Sequence, residues 1–312
     1  MSHMNESHHI SKNIKIFAII VTYNGAKWIE KCFGSLINSN IPLNILVIDN
    51  GSSDNTPNIV RKKYPMVEII QTGENLGFTK ANNIGIKFAL KQRADYVFLL
   101  NQDAWIEKNT IEELMDTFQQ IPQTGIVSPI HLNGNKTNLD KGFLNYIAPH
   151  NTPNFVSDLY FHRLENFHET QFVNAASWLI SRACIEKVGG FDSLLFLHYG
   201  EDGNYCQRVM YHGYKVIVNT NCFICHDRED RNPVENQLWE NKKKLVATKV
   251  FLGNINENFS VIYIILYTIR RTFFALLFSK TKNALSKITE IFVFYDIVKS
   301  RKLNKRGGLV WL

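Results

Sequence analysis

The stretch Lys15-Ile16-Phe17-Ala18-Ile19-Ile20-Val21-Thr22-Tyr23-Asn24 sets the fold class. Its apolar residues run without interruption and are rich in β-branched side chains, so Ile14 to Thr22 is expected to form a strand. A strand wetted on one face alternates apolar with polar residues. An unbroken run needs cover on both faces, as a parallel sheet between two layers of helices provides. The run stops at the polar cluster Thr22-Tyr23-Asn24.

Working outward, Gly25 to Asn38 has helical spacing, with Trp28, Ile29, Cys32, Leu36 and Ile37 on one side. A strand over Asn44 to Ile48 ends in Asp49-Asn50-Gly51-Ser52-Ser53-Asp54, a turn-rich loop before a helix over Thr56 to Lys63. A third strand, Val67 to Gln71, leads through a Gly- and Asn-rich loop to a helix over Lys80 to Gln92. The fourth, Tyr96 to Leu100, ends at Asn101-Gln102-Asp103. Strands alternating with helices predict an open α/β sheet, in which ligands bind outside the carboxyl ends of the strands. Four polar clusters are therefore expected on one rim.

The second half is less regular. Residues 131 to 170, rich in Asn, His and Gly, are expected to be a long loop or hairpin over the site. Ala175 to Ile180 predicts a strand and Ser181 to Val188 a short helix stopped by Gly189-Gly190. Glu201-Asp202 precedes a helix over Gly203 to His212. Tyr214 to Val218 and Cys222 to Cys225 predict two short strands around a turn at Asn219 to Asn221.

Composition narrows the class. A chain of 312 residues, 45% hydrophobic and 20% charged, can bury a large core without staples. Met1-Ser2-His3-Met4 reads as a cloning scar, residues 1–13 as tag and disordered terminus, and no signal peptide precedes Ile14. The five cysteines have neither an even count nor disulfide-like spacing, so a cytoplasmic setting is expected. Cys222-x-x-Cys225-His226 matches a c-type haem attachment pattern, but that haem is attached after export; zinc would want a second ligand pair, which the sequence lacks. The two thiols are then expected to be buried strand residues, with His226 at the strand end. No Gly-x-Gly-x-x-Gly supports a dehydrogenase, and no Gly-rich loop near the first strand supports a nucleotidyltransferase.

Taken together, Val21-Thr22-Tyr23-Asn24, Val47-Ile48-Asp49-Asn50-Gly51-Ser52-Ser53-Asp54, Asn75-Leu76-Gly77-Phe78, Leu100-Asn101-Gln102-Asp103 and Glu201-Asp202 resemble the family 2 glycosyltransferases. The resemblance covers about residues 14 to 230, with five motifs in the family's order. It is nearest to bacterial enzymes of surface-polysaccharide synthesis, rhamnosyltransferases among them. The resemblance implies an α/β fold of the GT-A type, a Rossmann-like nucleotide-binding open sheet with an acceptor half and a C-terminal helical extension. A nucleotide-binding half would span 14–105, an acceptor and catalytic half 106–240, and a basic amphipathic helical tail 241–312.

It also implies an inverting transfer from a nucleotide-diphospho-sugar, UDP- or dTDP-linked, to a glycan or lipid-linked glycan acceptor. Asp49 would accept a hydrogen bond from the nucleobase, with Thr22, Tyr23 and Asn24 beside it and Asn50 in the same loop. Asn75, Gly77 and Asn82 would contact the nucleoside and phosphates, with Lys80 as an optional cation. A departing pyrophosphate calls for Mg²⁺ or Mn²⁺ and hard oxygen ligands. Asp103 is the foremost candidate, and its alternative is a helix N-cap before Ala104. The family's usual Asp-x-Asp is here Asn101-Gln102-Asp103, and His226, a strand-end histidine like those that hold metal or diphosphate in the family, could replace the missing ligand; Asp227 and Arg228 stay unranked. Asp202 would be the general base and Glu201 a supporting carboxylate, while Trp178 and the Phe196 to Tyr199 stretch fall where acceptor-facing aromatics are placed, or in the core. The amides at Asn101 and Gln102 also motivate a second reading, a nucleotide- or glycan-binding module without turnover.

Residues 241 to 312 hold 14 Lys or Arg against Glu257, Glu290 and Asp296, a net of +11, while residues 1 to 240 carry a net of 4 negative. No nucleic-acid partner is expected. Val261 to Phe278 approaches the length of a membrane span, but Arg270 and Arg271 interrupt it. With Lys280, Lys282 and Lys287 following, an interfacial helix at anionic lipid on the inner membrane face is expected, the alternative being a helix packed on the body.

Overall fold

Successive residues of a strand point to opposite faces, and β1 (Ile16–Thr22) fills two cores in this way. Phe17 and Ile19 enter one core with Leu46, Ile48, Val97 and Leu99. Ile16, Ala18 and Ile20 enter the other with Ile45, Val47, Phe98 and Leu100. Fully burying an isoleucine stabilises by about 1.5–3 kcal/mol, so the three isoleucines of β1 that have no exposed surface outweigh a strand propensity whose whole range is about 1 kcal/mol. The computed structural model describes residues 14–228, 233–277 and 292–312. The expected tag over 1–13 and Lys280, Lys282 and Lys287 lie outside the described residues.

Among the described residues the sheet has nine strands. β2 (Asn44–Asp49), β3 (Glu68–Gln71) and β4 (Tyr96–Leu100) lie parallel to β1 in the order β3-β2-β1-β4. Beyond β4 follow β8 (Ser177–Ser181), antiparallel to both neighbours, then β6 (Thr124–Asn133), β9 (Lys215–His226) and β5 (Ala104–Ile106), with β7 (Phe167–Glu169) also paired to β9. The helices between the first strands are α1 (Ile29–Ile37), α2 (Thr56–Lys63) and α3 (Phe78–Lys91). α4 (Thr110–Gln120) follows β5, and α5 (Phe143–Tyr146) and α6 (Phe155–Tyr160) occupy the irregular 131–170 region. α7 (Arg182–Val188), capped by Ser181 through Cys184 N–H, and α8 (Glu201–Tyr211) follow β8.

Three expectations change. Ala104 starts a strand, so Asp103 caps no helix there. Glu201 and Asp202 are the first residues of α8, where carboxylates suit the helix dipole, and do not precede it. Lys215 to His226 is one strand, β9: Asn219, fully buried, is no turn residue because its amide donates to Glu113 O at 2.8 Å and Thr117 Oγ1 at 2.9 Å on α4. The irregularity survives as a bulge, since Pro129 pairs with Asn219 and Ile130 with Phe223.

The expected boundary at 240 falls inside α9 (Pro233–Gly253). α10 (Val261–Leu277) and α11 (Val293–Arg306) follow. α11 is bonded to the body through Asp192, whose fully buried carboxylate accepts from Ser300, from Asn304 at 3.1 Å and from the Leu194 and Leu195 N–H groups. Arg301 donates to the carbonyls of Leu252, Asn254 and Glu257, satisfying groups the end of α9 leaves open. No helix among the described residues is long and apolar enough to cross a membrane.

Candidate active site

At the carboxyl ends of the parallel strands the loops are tied by their own polar side chains. Asp49, nearly fully buried, accepts at Oδ1 from Thr22 Oγ1 at 3.1 Å and Ser52 Oγ at 2.6 Å, and at Oδ2 from Gln71 Nε2 at 3.4 Å. Asn50 donates to Asn75 Oδ1 at 3.0 Å and accepts from Leu76 N–H at 2.8 Å. Asn75 also accepts from Gly77 N–H at 2.9 Å, so these two amides shape the loop before α3. Tyr23, 45% exposed, presents its ring beside this rim.

Several expected ligands are occupied elsewhere. Asn24, at φ +48°, accepts from the Ser53 and Asp54 N–H groups and fastens the first loop to the second. Gln102 pairs with the Tyr23 backbone in both directions, accepting at 2.9 Å and donating at 3.1 Å. Asn82 donates back to Phe78 O in its own helix. Gly77, at φ +82°, does allow a close approach, but the group it meets is the Leu197 carbonyl. Lys80 is exposed. Trp178, placed provisionally toward the acceptor, has no exposed surface: it packs on Phe191 and Tyr205 inside one core, because β8 is a central strand covered on both faces. Phe196 is likewise buried, with Ile297 and Leu252.

β9 brings the last strand end to the rim. His226 pairs in register with Ala104 on one side and Asn133 on the other, which sets it beside Asp103. Its Nε2 lies 3.3 Å from Asp103 Oδ1 and 3.5 Å from Asn101 Nδ2. Its Nδ1 lies 3.6 Å from Asp140 Oδ2 and 3.1 Å from Arg228 Nε. Asp227 accepts from Trp28 Nε1 at 3.0 Å and its N–H reaches Asp103 O, so it fastens the strand end to α1. Asp140, Tyr146 and the part played by Arg228 are absent from the sequence reading. Asp140 is almost fully buried, caps Gly142 and Phe143 N–H groups, and holds Arg228 Nε at 3.2 Å.

The chemistry of these donors fits a divalent cation. Carboxylate oxygen and imidazole nitrogen at bonds of about 2.0–2.2 Å sit about 3 Å apart on adjacent positions of one ion, close to the 3.3 Å between Asp103 and His226. Among the described residues no group of three His, Cys, Asp or Glu converges as a complete cage. Two protein ligands with phosphate oxygens completing the shell is the pattern expected of Mg²⁺ in nucleotide sites.

Two unlike carboxylates open α8. Glu201 is held well above the usual carboxylate range by burial and then by the neighbouring Asp202, and its Oε2 has no hydrogen-bond partner. Asp202, half-buried, is raised by burial, which the Gly203 N–H at 2.8 Å, the Arg228 charge and the Ala175 N–H counter. Both carboxyls are pushed up, Glu201 the further, because the Gly203 and Ala175 N–H groups and the Arg228 charge offset burial at Asp202. All five cysteines are buried, and burial raises both Cys222 and Cys225 as thiols. They lack the thiolate character that metal or redox chemistry needs.

An open α/β sheet with a row of polar strand ends, and a carboxylate beside an imidazole among them, is the arrangement of a glycosyltransferase of the GT-A fold. The sequence model of glycosyl transferase family 2 matches residues 17–189, and the chain belongs to that family. It is 25% identical over 263 residues to the N-acetylglucosaminyl-diphospho-decaprenol L-rhamnosyltransferase of Mycobacterium tuberculosis, covering 76% of this chain and 83% of that protein. It is 25% identical over 235 residues to the dTDP-rhamnosyl transferase RfbF of Shigella flexneri, covering 70% and 71%. Among solved structures, Staphylococcus aureus TarS in complex with UDP-GlcNAc superposes with a TM-score of 0.57 at 16% identity, over 92% of this chain and 81% of that one. The mannosyltransferase PcManGT of Pyrobaculum calidifontis, in complex with GDP-Man and Mn²⁺, gives 0.52 at 16%, over 92% and 73%. Family membership favours the enzyme over the module without turnover.

Proposed function

We propose that this glycosyltransferase moves a deoxyhexosyl group, as its rhamnosyltransferase relatives do, from a dTDP- or UDP-linked donor to a glycan or lipid-linked glycan acceptor in surface-polysaccharide synthesis, with inversion. The observation that carries the mechanism is the pair of unlike carboxylates at the start of α8, Glu201 pushed up further than Asp202, with Arg228 in electrostatic reach of both Asp202 and Asp103.

Tyr23 offers a face for the nucleobase, and Asp49 Oδ2, held only by a long bond from Gln71, is the oxygen an imide N–H can take. Thr22 and Ser52 keep the other oxygen fixed, so the carboxylate is oriented before the base arrives. Asn50 and Asn75 hold the loop that borders the nucleoside. Asp202 takes the proton of the acceptor hydroxyl as that oxygen attacks the anomeric carbon from the side opposite the leaving diphosphate. Glu201, held higher than Asp202 by its burial, supports the base. Asp103 and His226 would hold Mg²⁺ or Mn²⁺, which when bound offsets the charge gathering on the departing diphosphate.

The exposed face of α10 supports placement at a membrane surface. Ile264, Thr268 and Thr272 face the body, whereas Ile262 at 70%, Leu266 at 61% and Phe273 at 57% exposure face outward beside Arg270 and Arg271. An outward apolar face flanked by arginines suits the headgroup region of an anionic bilayer, where a lipid-linked acceptor resides.

The function is tested by screening nucleotide-sugars for a rise in melting temperature, since a ligand that binds only the folded state stabilises it by mass action. A rise with dTDP- or UDP-linked sugars and none with GDP- or CMP-linked sugars is expected. The reverse pattern contradicts the donor assignment.

A further inference from the structure

Arg228 is a cation in contact with His226 and Asp140, and its guanidinium is incompletely used. Nε serves Asp140 Oδ2 at 3.2 Å and His226 Nδ1 at 3.1 Å. The side chain also meets the Tyr146 hydroxyl, and burial together with nearby charge sets both partners: burial pushes the Tyr146 phenol up to about 12, while Tyr146 and Asp140 raise Arg228 against the opposing effect of its own burial. Nη2 is buried and has no hydrogen-bond partner. A buried guanidinium N–H left unmatched in an otherwise bonded group signals a ligand group that is to come. Arg228 also acts electrostatically on Asp103 and on Asp202, so it is within reach of both the proposed ion-binding carboxylate and the proposed base.

The surroundings explain why an arginine and not a lysine stands there. Asp140 is fixed by the Gly142 and Phe143 N–H groups, so its carboxylate is a rigid post. Gly142 leaves room for the guanidinium, since a Cβ there would lie 3.0 Å from Nη1. A planar fork anchored at Nε can present Nη2 in a fixed direction, which a flexible ammonium cannot.

We propose that Arg228, carried by Asp140 and Tyr146, is a diphosphate-binding residue that takes a β-phosphate oxygen of the donor, and of the nucleoside diphosphate it releases, on Nη2. It rests on the nucleotide-diphospho-sugar reading above. Arg228 supplies charge at the leaving group independently of the ion, and it does so from a post that belongs to the segment between β6 and β7.

Calorimetric titration of the full chain with dTDP, UDP and the corresponding monophosphates, each in EDTA and in Mn²⁺, tests this. In wild type the diphosphates bind more tightly than the monophosphates even in EDTA. Arg228→Gln lowers diphosphate affinity about ten- to hundred-fold, the size of a charge-assisted hydrogen bond, and leaves monophosphate affinity unchanged. Arg228→Lys keeps a charge beside Asp140 but removes Nη2, and loses most of the same preference; it decides the matter if Arg228→Gln does not fold. A preference for diphosphate retained in both variants overturns the inference alone, as does a wild type that binds di- and monophosphates alike. Wild type that binds none of the four nucleotides overturns it together with the donor reading.

Discussion

Gly77→Ala tests how the donor loop and the catalytic helix are joined. Gly77 sits at φ 82° and ψ 163°, a region essentially restricted to glycine, which costs another residue about 1–3 kcal/mol. The added methyl would lie 2.6 Å from Leu197 O and 3.3 Å from Leu197 C, backbone atoms that cannot rotate away. Overpacking of this kind costs about 1–3 kcal/mol more. If the chain stays rigid the substitution should therefore cost about 2–6 kcal/mol. Relief is available only by moving the segment that carries Leu197, which runs through Tyr199 at φ +70° and Gly200 at φ +87° straight into Glu201 and Asp202. A shift of about 1 Å at a catalytic group can cost about 100-fold in rate. Urea denaturation read beside a nucleotide-release assay separates the two outcomes, and a loss in one or both is expected. Stability within about 0.5 kcal/mol of wild type with an unchanged transfer rate would refute the coupling.

Glu201→Gln should raise thermal stability by a margin that grows as pH rises. The folded state raises the carboxyl's proton affinity, so its stabilising contribution is complete below the unfolded value and is lost as pH climbs through the folded one; a margin shrinking from pH 5 to pH 8 (about the range over which folding is normally most stable) counts against the buried, protonated assignment. His226→Ala should abolish the gain in nucleotide affinity that Mn²⁺ gives, whereas Cys222→Ser with Cys225→Ser should keep it, and an undiminished Mn²⁺ effect in His226→Ala removes the histidine from the ligand set. Ile262→Glu with Leu266→Glu, on the outward face of α10, should reduce flotation on anionic liposomes without changing nucleotide affinity; equal flotation of variant and wild type argues against membrane placement.

The parallel half was legible because an unbroken apolar run such as Ile16 to Val21 has one simple physical solution, and β4 and α2 lie where the pattern put them. β9 is not legible at Asn219-Thr220-Asn221, since such residues are common in turns and nothing local reveals that α4 supplies the partners of Asn219. Amide residues on the rim were the other weak point. Asn24 and Gln102 carry the same donors and acceptors whether they meet a nucleotide or a backbone, and here both meet backbone. Trp178 illustrates the same ambiguity for aromatics, resolved by the central position of β8. Asp140 could not be found from spacing, because it reaches His226 and Arg228 only through the pairing of β6 with β9.

The central claim is that Asp202 is the base of a sugar transfer. It is tested most directly by comparing wild type and Asp202→Asn for nucleoside diphosphate release from dTDP-L-rhamnose or its UDP-linked counterpart, with a polyprenyl-diphosphate-linked N-acetylglucosamine acceptor. Release in wild type, lowered about 10²- to 10⁴-fold in Asp202→Asn with donor affinity retained, is the predicted result. Release at the wild-type rate from Asp202→Asn would contradict it.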